Sequence, residues 1–317
     1  MLQEICSNLQ KLISDAVSEC KSECLSLSGG LDSSILAFCL NGKKIKTFTT
    51  IAKDFPSTDL VYSQLVAKQI GLPLEVQTVS IEQLLFAIDN TIKILKVFNP
   101  IEIRNAIVMY LTINMIKEKG YSSIITGDGA DELFAGYNFF QKMSGEELQQ
   151  DLERIWKVMH FPTKIIGDSM DVNVEMPFLN DKVVEYAKSI SADLKVHEEK
   201  GKKFGKWIMR KAFERTIPEV IVWREKSAMQ DGSGTTGLTS FFSNLISGSV
   251  FKDKLLLYLE TEKVRLGSKE SLYYYEIYRK YYDPPAFLGM SKSRCPECHG
   301  AIPADSHFCR MCGSFPI

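Results

Sequence analysis

Apolar positions along the first 126 residues switch repeatedly between helical and strand spacing. Ile5, Leu9, Leu12, Ile13 and Ala16 recur at helical spacing and predict a helix over residues 3–19. Cys24-Leu25-Ser26-Leu27 predicts a short strand, and a helix follows to about Leu40, where Asn41-Gly42 ends it. Ile45 to Ile51 is rich in β-formers. Ser57 to Ile70 has helical spacing and stops at Gly71 and Pro73. Leu74 to Val79 predicts a third strand, Ile81 to Leu95 and Ile103 to Lys119 two helices, and Tyr121 to Thr126 a fourth strand.

Strands alternating with helices of this length imply βαβ units and a parallel sheet with helices on both faces. In such sheets ligands bind beyond the carboxyl ends of the strands. Two glycine-rich segments, residues 28–34 and 127–137, fall at those ends. Beyond about residue 138 the pattern is mostly helical, with the best segments at Glu146–Met159, Asp181–Ser189, Lys206–Glu214 and Lys269–Tyr281. Residues 231–237 read as a loop and Asp283-Pro284-Pro285 as a linker.

The 317 residues suggest about two domains. With 45% hydrophobic and 24% charged residues, the composition is that of a globular protein and excludes a disordered tail, a collagen-like fibre or a coiled coil. A formal net charge of −1 gives no bulk attraction to nucleic acid or an anionic membrane. No stretch approaches the roughly 18 apolar residues of a membrane span, and Met1-Leu2-Gln3-Glu4-Ile5 does not open a signal peptide, so a cytoplasmic location with reduced thiols is expected.

That compartment changes the reading of the eight cysteines. Cys6, Cys20, Cys24 and Cys39 are scattered and read as buried thiols. Cys295, Cys298, Cys309 and Cys312 follow the spacing C-x2-C-x10-C-x2-C, which brings four thiolates to one Zn2+. A closed thiolate set is structural rather than catalytic, and a tail this short needs such a staple. The segment resembles a zinc ribbon, expected over residues 291–317, which would bind RNA or protein or brace a domain.

Ser28-Gly29-Gly30-Leu31-Asp32-Ser33-Ser34 joins a strand to a helix. Its glycines let the backbone approach a ligand, and the helix start offers free N–H groups and a positive dipole end. Asp32 fits such an anion-binding nest only if a cation shares it. The string lacks a Walker lysine. It resembles the pyrophosphate loop of N-type ATP pyrophosphatases, which cleave ATP between the α and β phosphates and leave an adenylated substrate.

The second segment, Thr126-Gly127-Asp128-Gly129-Ala130-Asp131-Glu132-Leu133-Phe134-Ala135-Gly136-Tyr137, places three carboxylates among glycines after a strand. Carboxylates so close repel unless they hold metal or manage protons. This string resembles the asparagine synthetase pattern G-[DE]-G-x-D-E-x-F-x-G-Y. Met176-Pro177-Phe178-Leu179-Asn180 resembles that family's P-F-L-D. Trp223-Arg224-Glu225-Lys226 with Asp231-Gly232 resembles its region around a catalytic lysine.

The resemblance covers about residues 1–285 and implies a parallel-sheet α/β N-type ATP pyrophosphatase domain (adenine nucleotide α-hydrolase-like) with a helical second half. It implies the synthetase domain alone: the family's glutaminase nucleophile would follow the initiator methionine, and residue 2 is Leu2. By the resemblance, Ser28, Gly29, Gly30, Asp32 and Ser33 would hold the ATP phosphates, and Asp32 and Asp131 would bind Mg2+. Asp128 would handle protons or the incoming amine, and Lys226 would stabilise the pentacovalent phosphorus and departing pyrophosphate. Ile51 and Gly127 would lie where backbone groups hold adenine and substrate.

The activity so implied is adenylation of a carboxylate or similar oxygen, then attack by ammonia or another amine. A fixed ammonium and a metal in a dry site suit the charge that builds on pyrophosphate. Residues 195–226, with ten Lys or Arg against five Glu, supply a basic stretch, although a solvated helix face gives the same count. An RNA-modifying pyrophosphatase whose ribbon contacts tRNA is the alternative, and a separate glutaminase is a second partner the ribbon would suit.

One departure bears on the acceptor. Where the family reads E-x-R-x before P-F-L-D, this chain has Asn173-Val174-Glu175-Met176. Glu175 at the substrate would disfavour aspartate by like-charge repulsion, whereas Glu175 paired with a nearby lysine would never meet substrate.

Overall fold

The computed structural model describes residues 1–199, 201–289, 293–303 and 306–317. The chain forms two compact units. The first comprises Met1–Thr49, Thr58–Gln77 and Thr112–Ala228, the second Thr50–Ser57, Thr78–Leu111 and Met229–Ile317.

The sheet contains β1 (Cys24–Ser26), β2 (Lys46–Ala52), β3 (Leu74–Val79), β4 (Ser123–Ile125) and β5 (Asn173–Glu175), in the order β3-β2-β1-β4-β5. β1 runs parallel to both β2 and β4, with Leu25 opposite Thr47 and Ile125, and β4 runs parallel to β5. The expected alternation of strand and helix is therefore present, with α1 (Leu2–Glu19), α2 (Leu31–Cys39), α3 (Asp59–Ile70), α4 (Ile81–Leu95) and α5 (Pro100–Glu118) between or before the strands. The stop signal at Gly71 acts as anticipated. Gly71 closes α3 with φ 68°, a conformation that costs glycine little. Ser80 and Gln83 form a reciprocal capping box at the start of α4.

The remaining elements of the first unit are α6 (Ala130–Leu133), α7 (Gly145–Val158), α8 (Pro162–Ser169), α9 (Asp181–Ser189), α10 (Ala192–Lys195), the antiparallel hairpin β6 (His197–Glu199) and β7 (Lys202–Phe204), and α11 (Trp207–Phe213). Helix α1 packs on α9 and α11. Its inward Leu9, Ile13 and Val17 join Leu25, Ile35, Leu36, Ile125, Phe134, Phe178, Ile208 and Met209 in one fully buried core. Each such side chain contributes about 1.5–3 kcal/mol when taken from water. This core fixes the two glycine-rich segments, because β1 and β4 are neighbouring strands and both segments leave from their carboxyl ends.

In the second unit, Arg104 and Glu270 form a buried ion pair at 2.5 Å. Arg104 also donates to Gln230 Oε1 at 2.7 Å, and Tyr274 donates to Glu270 Oε1 at 2.9 Å. Both charges are thus satisfied, as burial requires. Phe98 packs edge-on against Tyr275, with ring centroids 4.8 Å apart.

The structure departs from the sequence reading at several places. β5 is a fifth strand where none was expected: three residues are too few to show a period. Residues 231–237 are not an open loop. They continue the short helix Met229–Ser233 into the turn Thr235–Gly237, and Thr235 Oγ1 donates to the carbonyl of Arg104. Polar residues that suggested solvent find buried partners instead. The helix Gly248–Glu262 was not anticipated, and it buries no residue. Pro284 and Pro285, in the expected linker, are buried. Ser291, where the tail was expected to begin, lies outside the described residues.

Candidate active site

The turn after β1 folds on its own hydroxyls. Gly30 N donates to Ser28 Oγ at 3.2 Å, Ser28 N donates to Ser33 Oγ at 3.2 Å, and Ser33 Oγ donates to the Gly30 carbonyl at 3.3 Å. Gly29 has φ 70°, and a Cβ there would collide with the backbone of Tyr62 and Ser63. Gly30 stands at the N-cap of α2 without a side-chain cap. The result is a tight loop leading into an uncapped helix start, the arrangement that suits phosphate. Gly127, after β4, lies against it: a Cβ there would stand 3.1 Å from Cβ of Asp32.

The charged groups converge beside this loop. Asp32 Oδ2 lies 2.5 Å from Lys206 Nζ, Asp131 Oδ1 lies 2.6 Å from the same nitrogen, and Asp131 Oδ2 lies 2.7 Å from Lys226 Nζ. Burial alone would raise the Asp131 carboxyl, but the two ammoniums outweigh it and hold Asp131 far below the usual carboxylate range. Burial likewise opposes the charge on Lys226, and Asp131 with Asp32 keeps its pKa above the ordinary lysine value. Gly136 makes room for this contact, since a Cβ there would strike both Asp131 Oδ1 and Cε of Lys206. Arg210 is also buried and spends its N–H groups on the carbonyls of Gly205, Val222 and Arg224. Burial lowers its pKa to about 10 against the pull of Asp32 and Asp131.

The other two acids of the second segment behave differently. Asp128 accepts from Thr126 Oγ1 at 2.6 Å and from Thr163 Oγ1 at 3.3 Å. Burial pushes its pKa up despite those bonds, and the charges of Asp131 and Asp32 add to the rise. Glu132 is pushed up by burial and by Asp131, and it accepts from Tyr137 at 2.6 Å. Three carboxylates within five residues are thus driven apart: Asp131 ionises readily, and Asp128 and Glu132 resist ionisation. Such a division suits one group that holds a cation and others that exchange protons.

Arg224 braces the opposite side of the loop. It donates to the Gly29 carbonyl at 3.2 Å and to Thr58 Oγ1 at 2.9 Å, lies 3.5 Å from Asp59 Oδ1, and stacks 3.7 Å over the Tyr62 ring. Burial pushes Asp59 up to about 6 even though Arg224 and Lys226 pull it down.

Of the residues singled out by sequence, Ser28, Gly29, Gly30, Asp32, Ser33, Gly127, Asp128, Asp131 and Lys226 all belong to this region of the first unit. Ile51 is buried near the end of β2, in the segment that belongs to the second unit. Glu175 engages the main chain: its carboxylate accepts from Lys21 N at 3.0 Å and from Ser22 N at 3.1 Å. Burial first, and then Glu175, push the neighbouring Cys20 thiol up to about 12. The partner expected for Glu175 away from substrate was a lysine ammonium; the donors the structure shows are instead the main-chain N–H groups of Lys21 and Ser22. Sequence reasoning assigned nothing to Lys206, Arg210 or Arg224. Lys206 and Arg210 entered only through the basic count over 195–226, and Arg224 also through its place beside Lys226 in Trp223-Arg224-Glu225-Lys226; neither signal says which cations face inward.

In the second unit, the ligand atoms of Cys295, Cys298, Cys309 and Cys312 all lie within 4.8 Å of one another. The Cys295–Cys312 and Cys298–Cys309 sulfurs are 3.7 and 3.6 Å apart. A tetrahedral thiolate site with metal–sulfur bonds of about 2.3 Å has edges of roughly 3.8 Å, which these two separations approach, so the cluster is suited to holding a metal ion. The tail is tied to its own unit by Phe98 N donating to the Met311 carbonyl at 2.9 Å and Arg265 N to the Glu297 carbonyl at 2.7 Å.

Comparison with known proteins places this arrangement in a family. The model of the family described as asparagine synthase matches residues 8–169 and 147–283. Asparagine synthetase [glutamine-hydrolyzing] of Gallus gallus is 31% identical over 307 residues, covering 89% of this chain and 53% of that protein. The Cricetulus griseus protein of the same name is 28% identical over 89% of this chain and 53% of its own length. The chain thus spans about half the length of the curated relatives it matches. Among solved structures, NMN synthetase from Francisella tularensis is 14% identical with a TM-score of 0.41, over 88% of this chain and 93% of that one. The family match ends before the four-cysteine tail, and it contains every residue of the Asp32–Asp131–Lys206–Lys226 cluster. This chain belongs to the asparagine synthase family.

Proposed function

We propose that the protein adenylates an acceptor carboxylate, or a similar oxygen, with ATP and transfers the activated group to ammonia or another amine, releasing AMP and pyrophosphate. The observation that carries this reading is the placement of Asp32, Asp131 and Lys226 beside a lysine-free phosphate loop at the carboxyl ends of β1 and β4. Ser28, Gly29, Gly30 and Ser33 cradle the phosphates. Lys226 stabilises the departing pyrophosphate, and Asp128, held toward its neutral form, manages a proton of the amine step.

Asp32 and Asp131 fit a magnesium ion. Asp32 Oδ1 is buried without a hydrogen-bond partner, and an oxygen so placed asks for a cation. When bound, magnesium would neutralise charge building on the β and γ phosphates.

Zinc is the metal proposed for Cys295, Cys298, Cys309 and Cys312, in a ribbon appended to a catalytic region over residues 1–285. Its main-chain bonds to Phe98 and Arg265 support a bracing role. A reducing cytoplasm is the proposed setting. Among the described residues, no helix is long and apolar enough to cross a membrane.

The test is product analysis with ATP, magnesium, a panel of acids and amines, and parallel reactions containing tRNA. AMP and pyrophosphate in an acid- and amine-dependent reaction support the reading. ADP and phosphate would overturn it, and dependence on tRNA alone would favour an RNA acceptor.

A further inference from the structure

The reading of Asp32 and Asp131 as magnesium ligands meets an obstacle in the geometry. Both carboxylates already hold a cation belonging to the chain. Lys206 Nζ bridges Asp32 Oδ2 and Asp131 Oδ1 at 2.5 and 2.6 Å, and its side chain is only 3% exposed. Asp131 faces a lysine at each oxygen, since its Oδ2 lies 2.7 Å from Lys226 Nζ, although Oδ1 is in ion-pair contact with Lys206 without forming a hydrogen bond. The two lysines differ: Lys226 reaches one carboxylate from a partly exposed position, at 24%, whereas Lys206 lies beneath both. The backbone commits Lys206 to this place. It adopts φ 55°, strained for a side-chain-bearing residue, and its N–H donates to the Phe134 carbonyl at 3.0 Å.

We propose that Lys206 is a built-in placeholder for the divalent ion: it closes the Asp32–Asp131 pair against bare metal, so that magnesium enters only together with the nucleotide. This inference rests on the magnesium reading above and deepens it.

The charge balance gives the reason. Two carboxylates and two ammoniums leave the Asp32–Asp131–Lys206–Lys226 cluster neutral, and buried Arg210 adds a further positive charge. A bare divalent ion would therefore enter a site with no net negative charge and would displace an ammonium into poorly solvated surroundings, which is unfavourable. A polyphosphate entering with the metal reverses both costs. It supplies the missing negative charge and gives the displaced ammonium a new partner.

The experiment is calorimetric titration of the full chain with Mn2+ alone and with Mn2+ mixed with α,β-methylene ATP. It uses the unmodified protein, Lys206→Met and Lys206→Gln, each checked for folding by circular dichroism. The unmodified protein is expected to take up the Mn2+–nucleotide mixture but not Mn2+ alone at the same concentrations. Both variants are expected to bind bare Mn2+ at least about tenfold more tightly than the unmodified protein, since one opposing charge has been removed beside the pair. Bare Mn2+ binding within about twofold across all three proteins would overturn the placeholder while leaving the metal ligands in place. If both variants fail to fold, the unmodified protein still decides: bare Mn2+ binding as tight as that of the mixture overturns the proposal. No manganese-dependent heat in any protein, with or without nucleotide, would remove the magnesium reading and the placeholder together.

Discussion

Arg224 donates to the carbonyl of Gly29 at 3.2 Å, joining the segment that carries Lys226 to the phosphate loop across 195 residues of sequence. Its guanidinium also holds Thr58 and Asp59 at the start of α3 and lies over the Tyr62 ring, 3.7 Å from its centroid. One planar cation thus ties together three segments, a task that the single ammonium of lysine performs poorly.

Replacing Arg224 by lysine is therefore expected to loosen the phosphate loop. The KM for ATP should rise by about tenfold or more, because two charge-assisted hydrogen bonds and a stack are lost. Steady-state kinetics measures it, and an unchanged KM would show that the loop holds its shape without Arg224.

Asp59 gives the pH dependence a definite sign. Its pKa stands near 6 in the folded protein, against an ordinary value of 3.8, so the folded state binds more protons than the unfolded state between those values. Stability contributed through this group is present at low pH and declines as pH rises from about 4 to about 6. Thermal melting of the unmodified protein and of Asp59→Asn across that window should show the unmodified protein losing ground to the variant as pH rises. A difference that stays constant with pH contradicts the shifted carboxyl.

Lys226→Ala should lower turnover by at least about a hundredfold and leave ATP binding within about tenfold, since its charge matters most as pyrophosphate departs. Equal losses in binding and turnover would assign Lys226 to ground-state binding instead.

Glu175 offers a choice between two roles. Its carboxylate accepts the N–H groups of exposed Lys21 and buried Ser22, so Glu175→Ala leaves the Ser22 donor unpaired and should destabilise the fold by about 1–3 kcal/mol. Denaturant melts measure the loss, and the KM for the acceptor in the folded fraction should be unchanged. A changed acceptor preference at unaltered stability would return Glu175 to the substrate.

The tail should carry one zinc per chain, measurable by elemental analysis. Chelation should unfold residues 295–317 and expose the contact between Phe98 and Met311, because so short a segment buries too little surface without its metal. Hydrogen exchange at Phe98 N after chelation reads this directly. Protection that survives metal removal would mean that packing alone holds the tail.

What the sequence determined by itself was local chemistry. The run from Cys24 through Ser34 contains its own strand, turn and helix start, and each depends on neighbours a few residues away. The C-x2-C spacings likewise carry their geometry within each knuckle, and the four sulfurs converge as that spacing requires. The alternation of strands and helices through residue 126 was legible for the same reason: burial on one face writes a period into the chain. Tertiary structure decided what no period encodes. Which of the basic residues between 195 and 226 would face inward depends on a contact between Lys206 and Asp32, 174 residues apart, made possible by the bare Cα of Gly136. The strand Asn173–Glu175 exists because Ser123–Ile125 offers it a parallel edge, and the Glu175 carboxylate settles on Lys21 and Ser22 because that register brings it there. Long-range electrostatics and register depend on the packed positions of distant segments, and only the folded chain supplies those positions.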